Sequence, residues 1–213
     1  MHISKSPVRF ALGAACTLAV GASASAQFNN QWVSFTQDNS MLSAGTISDN
    51  NNETDLDWVD LDQDGWIDLV VVRKQPYTSA GKRTNLLLMN ESGVLTDRTS
   101  LYATASSVSG DNGFNTPTND RDINHADFDG NGVVDLVTAT TLSDGDPKYI
   151  GHPRLYMNQG ESGGNWNGLY FDEPRIPQLY SYSTNQPENP RFCSVAAGAV
   201  PNHAAPETWF RAP

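Results

Sequence analysis

Cysteine, basic residues and long apolar stretches are all scarce in this sequence. Its 213 residues include 2 cysteines, and 13 lysines and arginines stand against 24 acidic residues, for a formal net charge of -11. Such an acidic balance argues against a binder of nucleic acid or of anionic membranes and makes cations the natural partners. No apolar run approaches the roughly 18 to 20 residues that span a bilayer, so we expect no transmembrane segment.

Turn-forming residues, by contrast, are abundant. The chain has 17 glycines and 12 prolines among many Asn, Asp, Ser and Thr residues, and its hydrophobic content is 38%. This composition supports a modest core and favours short strands over long helices. We therefore predict an all-β fold.

The N-terminal segment 1–26 has the pattern of a secretory signal peptide. Lys5 and Arg9 supply a positive start, residues 10–20 are apolar, and the small residues 24–26 form a cleavage site. A buried N-terminal helix is the alternative, but no amphipathic period accompanies the apolar run. We expect a mature chain of residues 27–213 that is secreted, either periplasmic or extracellular.

Removal of this leader also removes Cys16 and leaves Cys193 as the single cysteine. An exported chain with one cysteine forms no internal disulfide, so its fold needs another kind of cross-link. Cys193 stands in the run Phe192-Cys193-Ser194-Val195 with no histidine nearby to act as a base, which predicts an inert, buried thiol.

Two segments of the chain resemble each other, residues 55–71 and residues 122–138. Asp127 in the second segment matches Asp60 in the first, and the match resumes downstream, where Asn158 matches Asn90. One repeat unit therefore spans about 67 residues. Each unit contains four short apolar stretches, which predict a four-stranded antiparallel meander. The predicted strands include residues 67–72 in the first unit and 169–171 in the second, and the polar segment 106–119 is expected to be an exposed loop.

An acidic nine-residue loop follows the first strand of each unit. In the first loop Asp60, Asp62 and Asp64 occupy positions 1, 3 and 5, the carbonyl of Trp66 stands at position 7, and Asp68 at position 9. Oxygen ligands that alternate along a tight turn suit a hard cation of the size of Ca²⁺, and glycine at position 6 permits the reversal. We predict that this loop binds calcium.

The second loop carries a weaker set of ligands. Its side chains are Asp127, Asp129, Asn131 and Asp135, and the carbonyl at position 7 belongs to Val133. Three carboxylates in place of four predict weaker binding. The sequence thus predicts about two calcium sites, and the alternative for either loop is a solvated acidic turn without metal.

Position 12 distinguishes these loops from an EF-hand, which places a closing glutamate there. Val71 and Thr138 stand at position 12 of the two loops. The short loop followed by Leu-Val-Val or Leu-Val-Thr instead resembles the FG-GAP or VCBS repeat of integrin-type β-propellers. This resemblance covers about residues 55–97 and 122–171, and it implies four-stranded blades in which calcium binds the loop between the first two strands.

A third, degenerate repeat is expected at about residues 192–213. Phe192 can be aligned with Asp122, and Glu207 then falls opposite Asp135, but almost no ligands lie between them. We expect no calcium there. A closed propeller needs about four to eight blades, so the repeat region of residues 27–213 predicts an incomplete propeller.

No catalytic constellation is apparent in the sequence. His125 precedes the second loop, where packing or surface exposure is its expected role. Asp172 and Glu173 are adjacent, so a strand would direct them to opposite faces, which argues against a glycosidase. The late aromatic residues could stack on a sugar or peptide, or could pack between blades; they are Trp166, Tyr170, Tyr180, Tyr182 and Trp209.

These observations predict a protein that is not an enzyme. We expect an exported calcium-binding repeat protein that acts as a binding or adhesion scaffold for a protein or glycan ligand, with structural calcium. Two alternatives stay open: an accessory segment that associates with further propeller blades, and a non-catalytic part of an extracellular polysaccharide-active enzyme.

Overall fold

The computed structural model describes residues 36, 38–43, 53–74, 82–141, 146–199 and 206–211. The predicted signal peptide, residues 1–26, lies outside the described residues. The chain divides into two compact units, Met1–Ser40 and Met41–Pro213, and every described strand belongs to the second. Among the described residues, no helix has the length and apolar character needed to cross a membrane.

The first repeat folds as a four-stranded antiparallel sheet, which we name blade 1. Its strands are β1 (Glu53–Val59), β2 (Asp68–Lys74), β3 (Leu86–Glu91) and β4 (Val94–Asp97). They are hydrogen-bonded in sequence order, which confirms the predicted meander. The central strands β2 and β3 are buried on both faces, and this explains their nearly continuous runs of leucine and valine.

The second repeat forms blade 2 in the same way. The strands from this part of the chain are β5 (Ala105–Ser106), β6 (Asp120–Ala126), β7 (Asp135–Thr140), β8 (Arg154–Asn158), β9 (Glu161–Ser162), β10 (Asn165–Trp166) and β11 (Leu169–Phe171). The sheet order is β5-β11-β8-β7-β6, and β9 and β10 form a separate hairpin. The meander of β6, β7, β8 and β11 therefore repeats blade 1.

A short parallel strand covers the outer edge of each blade. In blade 2 this strand is β5, which pairs in parallel with β11. In blade 1 Leu42 bridges Leu95 of β4 in the same parallel sense. The Leu95 N–H donates to the Met41 carbonyl at 2.7 Å, and the Leu95 carbonyl accepts from Ser43 N–H at 3.2 Å. The chain that precedes each blade thus closes the outer edge of that blade.

The remaining strands belong to two hairpins, and the helices are short. These elements are β12 (Leu179–Tyr180), β13 (Pro187–Glu188), β14 (Ser194–Ala199) and β15 (Pro206–Arg211), the α-helices Thr99–Tyr102 and Lys148–Gly151, and the 3-10 helices Gly113–Asn115 and Glu173–Arg175. β14 and β15 pair with Gly198 across from Glu207. In blade 2 the corresponding pair is Ala126 and Asp135.

The first strands of successive segments are joined by one repeated contact. Asp55 Oδ2 on β1 accepts the backbone N–H of Ile123 on β6 at 3.2 Å. Asp122 Oδ2 on β6 accepts the backbone N–H of Val195 on β14 at 2.8 Å. We name this contact the carboxylate latch. It aligns Ser194 with Asp122, whereas the sequence match aligned Phe192 there.

Two layers of apolar side chains pack between these segments. The layer between blade 1 and blade 2 consists of Val59, Leu61, Val70, Val72, Leu87, Met89, Ala103, Phe114, Ile123, Leu136, Tyr156, Trp166, Leu169 and Phe171. Beyond blade 2 a second layer brings Val137 and Leu155 against Phe192 and Val195. The described chain is thus all-β and propeller-like, and its described strands form no closed barrel, which confirms the predicted fold class.

Two local predictions were wrong. The polar segment 106–119 was expected to be an exposed loop, yet Phe114 is fully buried, with its ring edge-on to Tyr156 at 4.6 Å between centroids. Asp111 from the same segment forms a buried ion pair with Arg154. Cys193 was expected to be buried and is half-buried.

Candidate metal centres

Both acidic loops gather carboxylates at the end of a hairpin. In the loop between β1 and β2, Asp60, Asp62 and Asp68 have ligand oxygens within 4.8 Å of one another. In the loop between β6 and β7, the carboxylate oxygens of Asp127, Asp129 and Asp135 are equally close together. Each triad could hold a metal ion.

Backbone hydrogen bonds fix the shape of the first loop. Asp60 Oδ2 accepts from Gly65 N–H at 3.1 Å, and Asp62 Oδ1 accepts from Asp64 N–H at 3.2 Å. Asp64 Oδ1 in turn accepts from Trp66 N–H at 2.8 Å. Gly65 has φ 90, a left-handed conformation that glycine adopts without strain. These bonds turn the chain so that its carboxylates converge.

The second loop repeats the three bonds at the same positions. Asp127 Oδ2 accepts from Gly132 N–H at 2.9 Å, and Asp129 Oδ1 accepts from Asn131 N–H at 3.2 Å. Asn131 Oδ1 accepts from Val133 N–H at 2.9 Å. The amide of Asn131 replaces the carboxylate in this framework without changing it.

The aspartate at position 9 ties each loop to the body of its blade. Asp68 is buried, and its Oδ2 accepts from Leu61 N–H at 3.0 Å. Its Oδ1 accepts from Asn90 N–H on β3 at 2.9 Å. Each oxygen of a carboxylate has a second lone pair, so these bonds leave acceptor capacity for a cation.

Asp135 makes the matching contacts in blade 2. Its Oδ2 accepts from Phe128 N–H at 2.9 Å, and its Oδ1 accepts from Asn158 N–H on β8 at 2.8 Å. The position-9 carboxylate is therefore anchored identically in both loops.

Both position-9 aspartates hold their protons more tightly than an ordinary aspartate. Burial raises the pKa of Asp68 to about 6, and the nearby carboxylates of Asp62 and Asp64 contribute to this rise. The pKa of Asp135 is also about 6, from burial and from Asp129 and Asp127. A bound cation would oppose both causes by offsetting the charge in the loop.

The two loops differ in how far their carboxylates are already neutralised. In the first loop the buried Oδ1 of Asp60 has no hydrogen-bond partner. The corresponding Oδ1 of Asp127 accepts from Gly130 N–H at 2.8 Å and from Asn131 N–H at 3.0 Å. A bound cation should therefore stabilise the first loop more than the second, because the buried Asp60 Oδ1 has no other partner to offset its charge.

A cationic side chain also approaches the second loop. Arg175 Nη2 lies 3.8 Å from Asp129 Oδ2, and Arg175 Nε donates to Asp172 Oδ2 at 2.7 Å. These residues line a groove of about 560 Å³ together with Tyr170. The guanidinium partly offsets the charge of Asp129 and so further distinguishes the second loop from the first.

Two asparagines contribute to these centres, and the sequence analysis gave them no role. Asn90 donates through Nδ2 to the Ile67 carbonyl at 3.0 Å. Asn158 donates through Nδ2 to the Val134 carbonyl at 3.0 Å and to the Leu61 carbonyl of blade 1 at 2.8 Å. The signal was their matched position in the repeat, since each lies in the last two residues of the third strand of its blade.

Contacts between the loops place the two centres side by side. Gln63 Nε2 of the first loop donates to the Gly132 carbonyl of the second loop at 3.1 Å.

Of the other predicted ligands, Asp64 is exposed and lies outside the triad of its loop. The Trp66 and Val133 carbonyls stay predictions, as does the Asn131 amide.

The late aromatic residues do not form one surface. Trp166 is buried, donates to Asn158 Oδ1 at 2.8 Å and packs on Tyr102. Tyr180 and Tyr182 are exposed. The side chain of Trp209 lies outside the described residues. Packing thus explains Trp166, while a stacking role stays open for the exposed tyrosines.

Comparison with known proteins gives no family assignment, because no family model, no curated protein and no solved structure matches this chain.

Proposed function

We propose that this chain is an exported calcium-binding repeat protein that serves as a binding or adhesion scaffold. The calcium ions would be structural: one bound by Asp60, Asp62, Asp64 and Asp68 with the Trp66 carbonyl, the other by Asp127, Asp129, Asn131 and Asp135 with the Val133 carbonyl. The ligand of the scaffold would be a protein or a glycan.

The observation that carries this proposal is the duplication of the loop geometry. Two triads of carboxylates converge at equivalent positions, and the same backbone bonds hold each triad in place. Like charges brought together in this way destabilise a fold unless a cation offsets them. Oxygen-only ligands favour Ca²⁺ over softer metals.

A structural role for the ions follows from where the loops lie. Each loop joins the first two strands of a blade and contacts the third strand through its position-9 aspartate. An ion held there would cross-link three strands of one blade. In a mature chain with a single cysteine, such a cross-link would take the place of a disulfide.

Thermal unfolding of residues 27–213, followed by circular dichroism, tests the proposal. Calcium should raise the midpoint relative to chelator, because at about ten times Kd each ion adds about 1.4 kcal/mol by mass action. Asp60→Ala should reduce this gain more than Asp127→Ala does, because the first loop has the larger uncompensated charge. Glu91→Ala, outside both loops, is the matched acidic control. A cooperative transition that is indifferent to calcium would refute the metal sites.

The second candidate function is an accessory segment of a larger propeller. An exposed apolar face on blade 1, described below, favours it. Such a segment should unfold without cooperativity in calcium and in chelator alike, whereas an autonomous scaffold should fold when the ion is present. The remaining alternative is a non-catalytic part of a polysaccharide-active enzyme, which would turn over no polysaccharide by itself. Polysaccharide turnover that is lost on changing a residue outside the loops would instead identify the chain as an enzyme.

A further inference from the structure

The two faces of a blade have distinct neighbours in this fold. We define the front face as the one that contacts the preceding blade and the back face as the one that contacts the following segment. On blade 2 the front face packs Ile123, Leu136 and Tyr156 against blade 1. On blade 1 the front face includes Leu69 and Leu88, which pack with Leu42.

Part of the front face of blade 1 is nevertheless exposed. Leu56 is 49% exposed, whereas Ile123, which occupies the same position in the second repeat, is 5% exposed. Trp58 is 52% exposed. Leu56 and Trp58 pair across β1 and β2 with Val71 and Leu69 of the front-face cluster, and we name Leu56 and Trp58 the front patch. Large apolar side chains that cluster in this way mark an interaction surface.

The repeat identifies which surface fits the front patch. The carboxylate latch occurs at two junctions, between β1 and β6 and between β6 and β14. At each junction an aspartate of the earlier strand, Asp55 or Asp122, accepts a backbone N–H of the later strand. The corresponding N–H on β1 is that of Leu56. The corresponding acceptor position on the last described first strand, β14, is Ser194, whose hydroxyl can also accept a hydrogen bond.

Side-chain size is complementary at the neighbouring position. Between blades 1 and 2, His125 Nδ1 lies 2.6 Å from Asp57 Oδ2. In the repeat Trp58 corresponds to His125, and Ala196 on β14 corresponds to Asp57. Ala196 is small and exposed, so it leaves room for an indole where an imidazole stands in the internal junction.

We propose that the front patch docks a second copy of this chain, whose β14 supplies Ser194 to Leu56 and Ala196 to Trp58, so that the stack of blades continues from one chain to the next. The interface is heterologous, because the two chains contribute different surfaces. It closes a ring or extends an open assembly according to the rotation per chain. The inference rests on the blade scaffold proposed above but not on its metal.

Sedimentation velocity of the full chain, purified after export, tests this interface in calcium over about 1 to 100 μM. The wild type should associate as its concentration rises. Trp58→Asp should weaken association by about 30-fold or more, as expected for a tryptophan at the centre of an interface. Leu101→Asp, at an apolar residue 63% exposed on another element, should leave association unchanged.

Disulfide trapping provides a second test that does not depend on whether Trp58→Asp folds. In a Cys193→Ser background, a chain with Trp58→Cys mixed with a chain of different mass carrying Ala196→Cys should oxidise to a mixed dimer. Leu101→Cys with Ala196→Cys should not. A wild type that stays monomeric throughout the range, association that Trp58→Asp leaves intact, or no mixed disulfide would each overturn the proposal. A chain that associates but gains no stability from calcium would instead overturn the metal sites alone.

Discussion

The front faces of blade 1 and blade 2 are built from corresponding positions of opposite character. Leu86 and Leu88 on β3 correspond to Arg154 and Tyr156 on β8, and all four side chains are buried. The same backbone thus supports an apolar face in one blade and a buried charge in the other. What differs is the chain around them, since the segment before blade 2 supplies the partners that the charge requires.

The hydrogen bonds and ring contact of the Arg154 guanidinium offset the cost of burying its charge. Its Nη1 and Nη2 donate to Asp111 at 3.0 Å and 2.9 Å, and its Cζ lies 3.7 Å from the centre of the Phe171 ring. Burial alone would raise the pKa of Asp111, but the hydrogen bonds and charge of Arg154 hold that pKa below the ordinary value. The comparison teaches that a blade face tolerates charge only with a dedicated partner.

The largest expected effect breaks that partnership. Asp111→Ala should cost about 3–5 kcal/mol of the free energy of unfolding, because it leaves Arg154 buried without its counter-charge. Glu91→Ala, which removes the partner of the exposed Arg98, should cost less than about 1 kcal/mol. Urea denaturation in calcium measures both. Equal losses for the two variants would contradict the buried-pair account.

The next prediction compares how the stability of the two loops depends on pH. Because Asp68 and Asp135 have a folded pKa of about 6, above that of an unfolded aspartate, the metal-free fold loses stability as pH rises from about 4 through 6. Calcium requires the ionised carboxylates, so its stabilisation should be full above pH 6 and disappear as pH falls through 6.

Midpoints measured with calcium and with chelator between pH 4.5 and 7.5 check this dependence, with the pH range chosen to bracket a pKa of about 6. Asp60→Ala and Asp127→Ala, used separately, leave one functional loop each and should give the same pH midpoint. Different midpoints would mean that the two position-9 aspartates are not equivalent.

The smallest effect exchanges one ligand between the loops. Asn131→Asp should tighten calcium binding at the second loop, and Asp64→Asn should weaken it at the first, each by about 3- to 10-fold, since affinity follows the number of charged ligands. Isothermal titration calorimetry checks both variants. Unchanged affinity in Asp64→Asn would indicate that exposed Asp64 is not a ligand, in accord with its position outside the carboxylate triad.

The sequence predicted those parts of the fold in which one residue pattern repeats. The strand expected at residues 169–171 is β11 itself, and the strand expected at 67–72 is β2, which the structure places at Asp68–Lys74. The convergence of Asp60, Asp62 and Asp68 also followed from local spacing. Such features depend on contacts close in sequence, so periodicity is enough to find them.

The features that the sequence did not reveal depend on distant partners. Segment 106–119 has the composition of an exposed loop, but Asp111 pairs with Arg154 of β8 and Phe114 fills the layer between blades. The Asn158 contact with the Leu61 carbonyl joins one blade to the other. No local pattern encodes a hydrogen bond between different repeats, so these contacts emerge only when the blades are stacked.

The parallel segments on the outer edges bear on how such a chain avoids aggregation. A sheet edge that presents unpaired N–H and carbonyl groups is a template for strands of other molecules. In blade 1 residues 41–43 cover β4, and in blade 2 β5 covers β11. Because each covering segment precedes its blade, it is synthesised first and is already present when the outer strand appears. The outer edge of a blade can therefore be covered against intermolecular pairing as soon as the last strand of that blade is complete.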